Sequence, residues 1–226
     1  MIEVIETEAW KLACLGSHIG ILEVDRVDNT VSSPALEVEK RQVEQHLRSR
    51  YAGFTRRDFL AEPTLAAYEQ YYKRFDKTYH VQLQVESLVL KGKNLPVVSP
   101  LVDAVFAAEV ETFILTAGHD VARLQPPLTI DVTREGDAMP LMNGMVKVLP
   151  SGDMLMRDHQ GIICTILYGQ DNLSPITPHT THVIYVAYAP TGVNPEQVEK
   201  QLAKIERNIR LFAPGCRVEQ SRLIPA

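Results

Sequence analysis

Apolar residues recur at helical spacing through the first half of this chain and at a spacing of two through much of the second. Residues 18–27, HIGILEVDRV, read as a buried strand, and Asp28-Asn29 as the turn that ends it. Ser32-Ser33-Pro34 then opens a helix, with a serine as cap and a proline in the first turn. Leu36, Val43 and Leu47 carry it to about Arg50. Residues 55–76 form a second helical region with an aromatic face of Tyr68, Tyr71, Tyr72 and Phe75. Beside Arg56, Arg57, Lys73 and Arg74, such rings could stack on RNA bases, although a stripe at this spacing more often packs a core. Residues 80–91 are helical again, with Gly92 as a natural C-cap. Ser99-Pro100 starts a further helix over 101–111, with Val102, Val105, Phe106 and Val110 on its apolar side.

From residue 113 the period shifts. Segments 113–116, 128–133, 145–149, 153–158, 161–168 and 181–189 read as strands. Turns fall at Glu135-Gly136-Asp137, Met142-Asn143-Gly144 and Ser151-Gly152-Asp153. Asn194-Pro195 starts a closing helix over 194–211, and 217–219 adds a last short strand. This order predicts an α+β fold in one domain over 1–226: helix-rich over 1–112, strand-rich over 113–192, then the closing helix.

Composition narrows the function classes. The chain has 226 residues, 45% of them hydrophobic, enough for one substantial core. No apolar run approaches a bilayer span. The first ten residues carry Glu3, Glu6 and Glu8 and no basic residue, unlike a secretory signal, so a cytoplasmic protein is expected. Cys14, Cys164 and Cys216 are odd in number and far apart, which argues against a disulfide framework or a structural zinc site. Net charge is -5, but it is unevenly spread. Residues 40–93 hold eleven basic and six acidic side chains, a local surplus of positive charge between acidic flanks. Such a stretch can attract phosphate or simply be a set of solvated helix faces.

The sequence contains no GxSxG elbow, HExxH, P-loop or GxGxxG. Two polar constellations remain. Thr116-Ala117-Gly118-His119-Asp120, at the end of a predicted strand, puts a base beside a carboxylate; it could orient a water or form a capped turn. Tyr168-Gly169-Gln170-Asp171, followed by Ser174, Thr177 and Thr180, offers a stacking face, close backbone approach and hydrogen-bonding groups, or forms a polar hairpin loop. His179 and His182 are three apart, but Pro178 and the change from loop to strand separate their faces, so no metal site is expected. No motif calls for a cofactor.

Several short stretches, in their order and spacing, resemble the tRNA-binding and editing (B3/B4) domain of the phenylalanyl-tRNA synthetase beta subunit. They are Tyr72-Lys73-Arg74-Phe75, Glu86-Ser87 through Lys91-Gly92-Lys93-Asn94-Leu95-Pro96, Ser99-Pro100-Leu101-Val102-Asp103, Gly118-His119-Asp120, Gly136-Asp137, Ser151-Gly152-Asp153, Tyr168-Gly169-Gln170-Asp171, Ile176-Thr177 with Thr180, and Tyr188-Ala189-Pro190 with Gly192. Together they cover roughly residues 70–195. The resemblance implies a three-layer domain with a mixed β core flanked by helices. It also implies the acceptor end of tRNA, that of tRNA-Phe, as partner, and hydrolysis of a mischarged amino acid in trans. A chain of this size has no room for an aminoacylation module.

Carried over position by position, Val102-Asp103 and Asp120 match the family pattern. Val105-Phe106 stand at its Thr-Asn, and Ala117 stands at its His; His119 lies two residues on, on the same strand face. The family's tyrosine-reading Glu falls on Val186, with Tyr188 two residues later, which leaves the amino acid open. On this reading His119 and Asp120 position water. Asp103, Tyr168, Gly169, Asp171, Thr177, Thr180 and Tyr188 hold the aminoacyl end, and Arg56, Arg57, Lys73, Arg74, Lys91 and Lys93 meet phosphate. A non-catalytic tRNA-binding module and a small-molecule binder with a repurposed pocket are the alternatives.

Overall fold

The computed structural model describes residues 1–30 and 33–226. It has the expected α+β architecture, a mixed β core flanked by helices. In chain order, β1 (Val4–Glu6) and α1 (Glu8–Ala13) lead into β2 (His18–Asp25). The helices α2 (Pro34–Arg50), α3 (Arg56–Phe59), α4 (Pro63–Lys73), α5 (His80–Leu90) and α6 (Pro100–Thr112) follow. Next come β3 (Thr116–Asp120), a 3-10 turn (Val121–Arg123), β4 (Leu128–Val132), β5 (Ala138–Pro140), β6 (Val146–Val148), β7 (Met154–Arg157), β8 (Ile162–Thr165), β9 (Gly169–Gln170) and β10 (Val183–Ala189). The helix α7 (Pro195–Arg210) and strand β11 (Arg217–Pro225) complete the order.

Local chemistry explains most boundaries. Ser33 caps α2, its hydroxyl accepting the Leu36 N–H at 3.2 Å, and Pro34 occupies the first turn. Ser32 lies outside the described residues. The single helical region expected over 55–76 is two helices. Thr55 and Asp58 form a reciprocal capping box that starts α3, and Pro63 starts α4 afresh. The strand expected over 113–116 is displaced. Phe113 adopts a left-handed conformation, φ 64°, and donates its N–H to the Glu109 carbonyl at 2.7 Å to close α6. The strand therefore begins at Thr116, and Thr116–Asp120 is the strand itself rather than its end. Strand β11 is nine residues long, far beyond the expected 217–219. β1 and α1 have no counterpart in the sequence reading.

Two main sheets form. One has the order β1-β4-β7-β8-β9, with β1 parallel to β4 and the rest antiparallel. The other is antiparallel, β11-β2-β10-β3. β5 and β6 make a separate two-stranded ribbon. One continuous apolar cluster draws on the helices and both main sheets. The aromatic face of α4 belongs to it: Tyr68, Tyr71 and Tyr72 are buried, and Tyr68 stacks on Tyr79 with ring centroids 4.0 Å apart. The rings are thus core and are not open to bases. Among the described residues no helix is long and apolar enough to cross a membrane.

Gly20 sets the approach of α7 to β2. A Cβ there would lie 2.7 Å from Val198 Cγ1 and 3.3 Å from Leu202 Cδ1. Val198 is stiff and fully buried, so it has nowhere to turn. Gly20→Ala is expected to destabilise the fold by about 1–3 kcal/mol through overpacking, read as a lower urea midpoint at unchanged slope.

Candidate functional site

The outer edge of β3 is where the two sheets, α5 and α6 meet. β3 is the last strand of its sheet, and β10 occupies only one side of it. The Thr116 N–H points outward and is taken by Glu109 Oε1 at 2.7 Å. The Asp120 N–H also points outward and is taken by the Ser174 carbonyl at 3.0 Å. In an antiparallel strand these orientations alternate, so the Gly118 N–H and C=O between them face outward too. There the edge opens into a cleft of about 410 Å³.

Its walls are mostly apolar: Val98, Val102, Val105 and Phe106 on and before α6, Ala117 and Gly118 on β3, and Ile176 and Met142 from loops. The polar lining is Glu109, Gln84, His80, Thr116 and Gln170. Gly118 is small for a reason, since a Cβ there would meet Ile176 Cδ1 at 2.7 Å and the Tyr185 ring at 3.0 Å. Glu109 is the one carboxyl in this wall. Burial pushes its pKa up to about 8, against which the Thr116 N–H acts more weakly. At neutral pH it is therefore largely a neutral carboxylic acid that can both donate and accept. Burial also lowers the pKa of His80, keeping that imidazole neutral. The Gln84 Oε1 is buried and has no hydrogen-bond partner among the described residues.

His119 and Asp120 do not line this cleft. His119 is fully buried, and its Nδ1 lies 2.7 Å from Ser174 Oγ. Ser174 Oγ donates its only proton to Asp171 Oδ1 at 2.7 Å, so Nδ1 carries the imidazole proton and Nε2 is left unprotonated. Burial lowers the His119 pKa to about 4, and Nε2 has no partner among the described residues. Asp120 Oδ1 accepts the Ala122 N–H at 3.0 Å, and Oδ2 accepts the Thr180 hydroxyl at 2.8 Å. Thr180 Oγ1 in turn accepts the Thr177 N–H at 2.9 Å. These contacts fasten the 174–180 loop against β3, which places Ile176 in the cleft.

The other expected site residues are dispersed. Gly169, with φ 75°, lines the cleft, while Tyr168, the residue before it, is half-buried against the apolar core and is not among the lining residues. Asp171 and Ser174 line a smaller pocket of about 100 Å³ with Arg123 and Asp158. Thr177 and Thr180 serve the loop. Tyr188 is fully buried within β10, its hydroxyl without a hydrogen-bond partner among the described residues. Asp103 is buried, bound to Lys40 Nζ at 2.8 Å and to the Val98 N–H at 2.9 Å, and lines a separate pocket of about 200 Å³ with Asn29, Ser99 and Pro178. Of the basic residues, Arg56 pairs with Glu86 at 3.4 Å and Lys73 with Glu69 at 3.0 Å. Arg74 lies over the Tyr71 and Phe75 rings. Arg57, Lys91 and Lys93 are exposed. His182 bonds Glu23 at 2.9 Å while His179 is exposed, so the two do not converge.

Sequence reasoning missed Glu109, Gln84 and His80. Glu109 had a signal: it is the lone acid between Ala108 and Val110 on an otherwise apolar helix face.

Two outcomes follow from these burials. Below pH 4.5 Glu109 is protonated in both folded and unfolded chains. Between pH 4.5 and about 8 only the unfolded chain releases the proton, so stability falls as pH rises. Glu109→Gln should flatten that part of the profile, measured by urea unfolding at pH 5 and pH 8. Asp103→Ala should cost about 1.5–3 kcal/mol by removing the buried one of the two carboxylates that hold the Lys40 ammonium, Glu37 remaining at 2.8 Å, while Lys40→Met with Asp103→Leu should cost less.

No family model and no curated protein matches this chain. Among solved structures it is similar to the crystal structure of an N-terminal fragment of the phenylalanyl-tRNA synthetase beta subunit from Pyrococcus horikoshii, at 10% identity and a TM-score of 0.49. The match covers 100% of this chain and 55% of that one, so this chain spans about half the length of that neighbour.

Proposed function

We propose that the cleft beside β3 receives the side chain of an amino acid presented as an ester, the form in which it sits on the 3′ end of tRNA. One observation carries the reading: Val102, Val105, Phe106 and Ala117, the positions at which this sequence meets or replaces the family's Val, Thr-Asn and His, all line this one cleft. Their apolar character fits an apolar or aromatic side chain, whose burial supplies roughly 25 cal/mol per Å² removed from water. The outward N–H of Gly118 suits the ester carbonyl oxygen. The Glu109 acid and the Gln84 amide supply hydrogen bonds to the polar parts of the ligand.

An aminoacyl ester is already activated, so its release needs a placed water rather than a nucleophilic side chain. On this reading Glu109, His80 and Thr116 are the polar groups at hand for that water. His119 and Asp120 act one layer out, through Ser174 and Thr180, as positioning residues for the loop that carries Ile176. With no charged wall, selection among apolar side chains rests on size and shape, about 1–3 kcal/mol for each methylene.

A second reading, a binder of small acyl ligands without tRNA, is favoured by the internal pairing of Arg56 and Lys73. The two separate in one assay. tRNA-Phe charged with phenylalanine, tyrosine or aliphatic amino acids is incubated with the full chain, and binding and release are followed across salt concentrations. Selective release of one non-cognate amino acid, slowed at least tenfold by Ala117→Leu, is the expected result. Binding of small neutral amino-acid esters with no measurable tRNA affinity would establish the second reading. If neither class binds, both are wrong.

A further inference from the structure

Three segments that rim the cleft bring one further cluster together. Lys77 precedes α5 by three residues, and His80, the first residue of α5, lines the cleft. Lys147 is the middle residue of β6, in the ribbon whose turn carries Met142 into the cleft. Tyr168 directly precedes Gly169 and Gln170, which also line it. The Lys77 ammonium lies 5.4 Å from the centroid of the Tyr168 ring, and the Lys147 ammonium 5.5 Å. The two cations are therefore within about 11 Å of one another however they are placed about the ring.

This arrangement differs from the ion-paired part of the basic surface, where Lys73, Arg56 and Arg41 each hold a carboxylate, and from exposed Arg57, Lys91 and Lys93, which gather about no ring. Among the described residues, no carboxylate lies within ion-pairing distance of Lys77 or Lys147, although Asp76 is next in the chain. Both lysines are exposed. A tyrosine face attracts an ammonium group but does not neutralise it. Two like charges are thus gathered at one place without a counter-ion, which is a favourable location for an anion. The segments that carry the three residues run directly into cleft-lining residues, His80, Met142 and Gly169, and the half-buried ring adds an aromatic edge for a base or ribose.

We infer that Lys77, Tyr168 and Lys147 form a phosphate-recognition site at the cleft mouth, taking a phosphate ester of a ribose-bearing ligand whose acyl part enters the cleft. The inference rests on the cleft being the acyl-binding site. It assigns phosphate contact to two lysines on the strand-rich side of the mouth and the segment before α5, apart from the exposed Arg57, Lys91 and Lys93. A mononucleotide and the 3′ end of an RNA share this chemistry.

The test uses the full chain and three probes: AMP, a fluorescein-labelled acceptor-stem minihelix ending in CCA, and neutral N-acetylphenylalanine methyl ester. In Lys77→Ala with Lys147→Ala, affinity for the minihelix should fall roughly tenfold or more, and the slope of log affinity against log salt should drop by about two. Lys200→Ala, an exposed lysine of α7, should leave both nearly unchanged, and ester binding should survive both variants. A parallel loss for AMP identifies a mononucleotide phosphate as sufficient; a loss for the minihelix alone identifies the RNA end, and either outcome supports the site. Unchanged affinity and salt slope in the Lys77/Lys147 pair, or no wild-type binding of either phosphate probe, overturns it. Ester binding that ignores Ala117→Leu would instead overturn the acyl cleft while leaving the lysine result to stand by itself.

Discussion

The uncovered side of β3 is the constraint on which the cleft depends. A terminal strand presents N–H and C=O groups that must find partners when buried. At one end of β3 the partner is a side chain, Glu109, reaching from α6 to Thr116. At the other it is the backbone of Ser174 and Pro175, drawn against Asp120 and His119. Between these two closures the Gly118 N–H still faces outward, and a cavity opens there. The opening is bounded by the two solutions to the same hydrogen-bonding requirement. The residues that appear chemically active in the motif, His119 and Asp120, belong to one of those solutions.

Buried polar groups repeat this pattern across the molecule. Lys40 reaches Asp103, Glu37 and the Pro96 carbonyl, tying α2 to the segment that enters α6. Tyr71 donates to Asp153 at 2.8 Å and accepts the Met154 N–H at 2.7 Å, joining α4 to the start of β7. Tyr68 accepts the Leu115 N–H and donates to the Tyr188 carbonyl, linking α4 to the strands on both sides. Burial raises the Asp153 pKa to about 7, despite the Tyr71 hydrogen bond that opposes the shift. Apart from Lys40–Glu37 within α2, each contact spans elements far apart in sequence, so polarity here fixes the relative placement of layers that apolar contact alone would leave free to slide.

Much of the fold was legible in the sequence. Ser33-Pro34, Ser99-Pro100 and Asn194-Pro195 each start a helix: Ser33 and Asn194 cap an orphan N–H and the prolines remove one locally, while at α6 the Ser99 side chain makes no cap and distant Asn29 takes the Leu101 N–H. Strand β3 was misplaced by three residues because the left-handed turn at Phe113 has no local signature: a phenylalanine rarely takes that conformation, and only the closure of α6 requires it. β1 escaped notice because three residues carry too little period to read, and its register comes from pairing with β4 more than a hundred residues away. The candidate site was legible in position but not in chemistry. The family-like segments around residues 102–106 and 117 point to the cleft, while the conspicuous His-Asp pair points beside it. A carboxyl made neutral by burial, such as that of Glu109, looks in sequence like any other glutamate.

The antiparallel sheet has one more implication, for how the chain is made. β2 forms early in the sequence, yet its partners are β10 and β11, and Ile19 lies opposite both Tyr188 and Ile224. During synthesis β2 emerges as an apolar strand with both edges bare, and it stays so until residues 183–225 have left the ribosome. Its eight residues, six of them buried in the finished sheet, must be kept from pairing with neighbouring molecules throughout that interval. Sheet closure is therefore among the last events of folding, and a chain interrupted before residue 217 would expose one flank of its central strand.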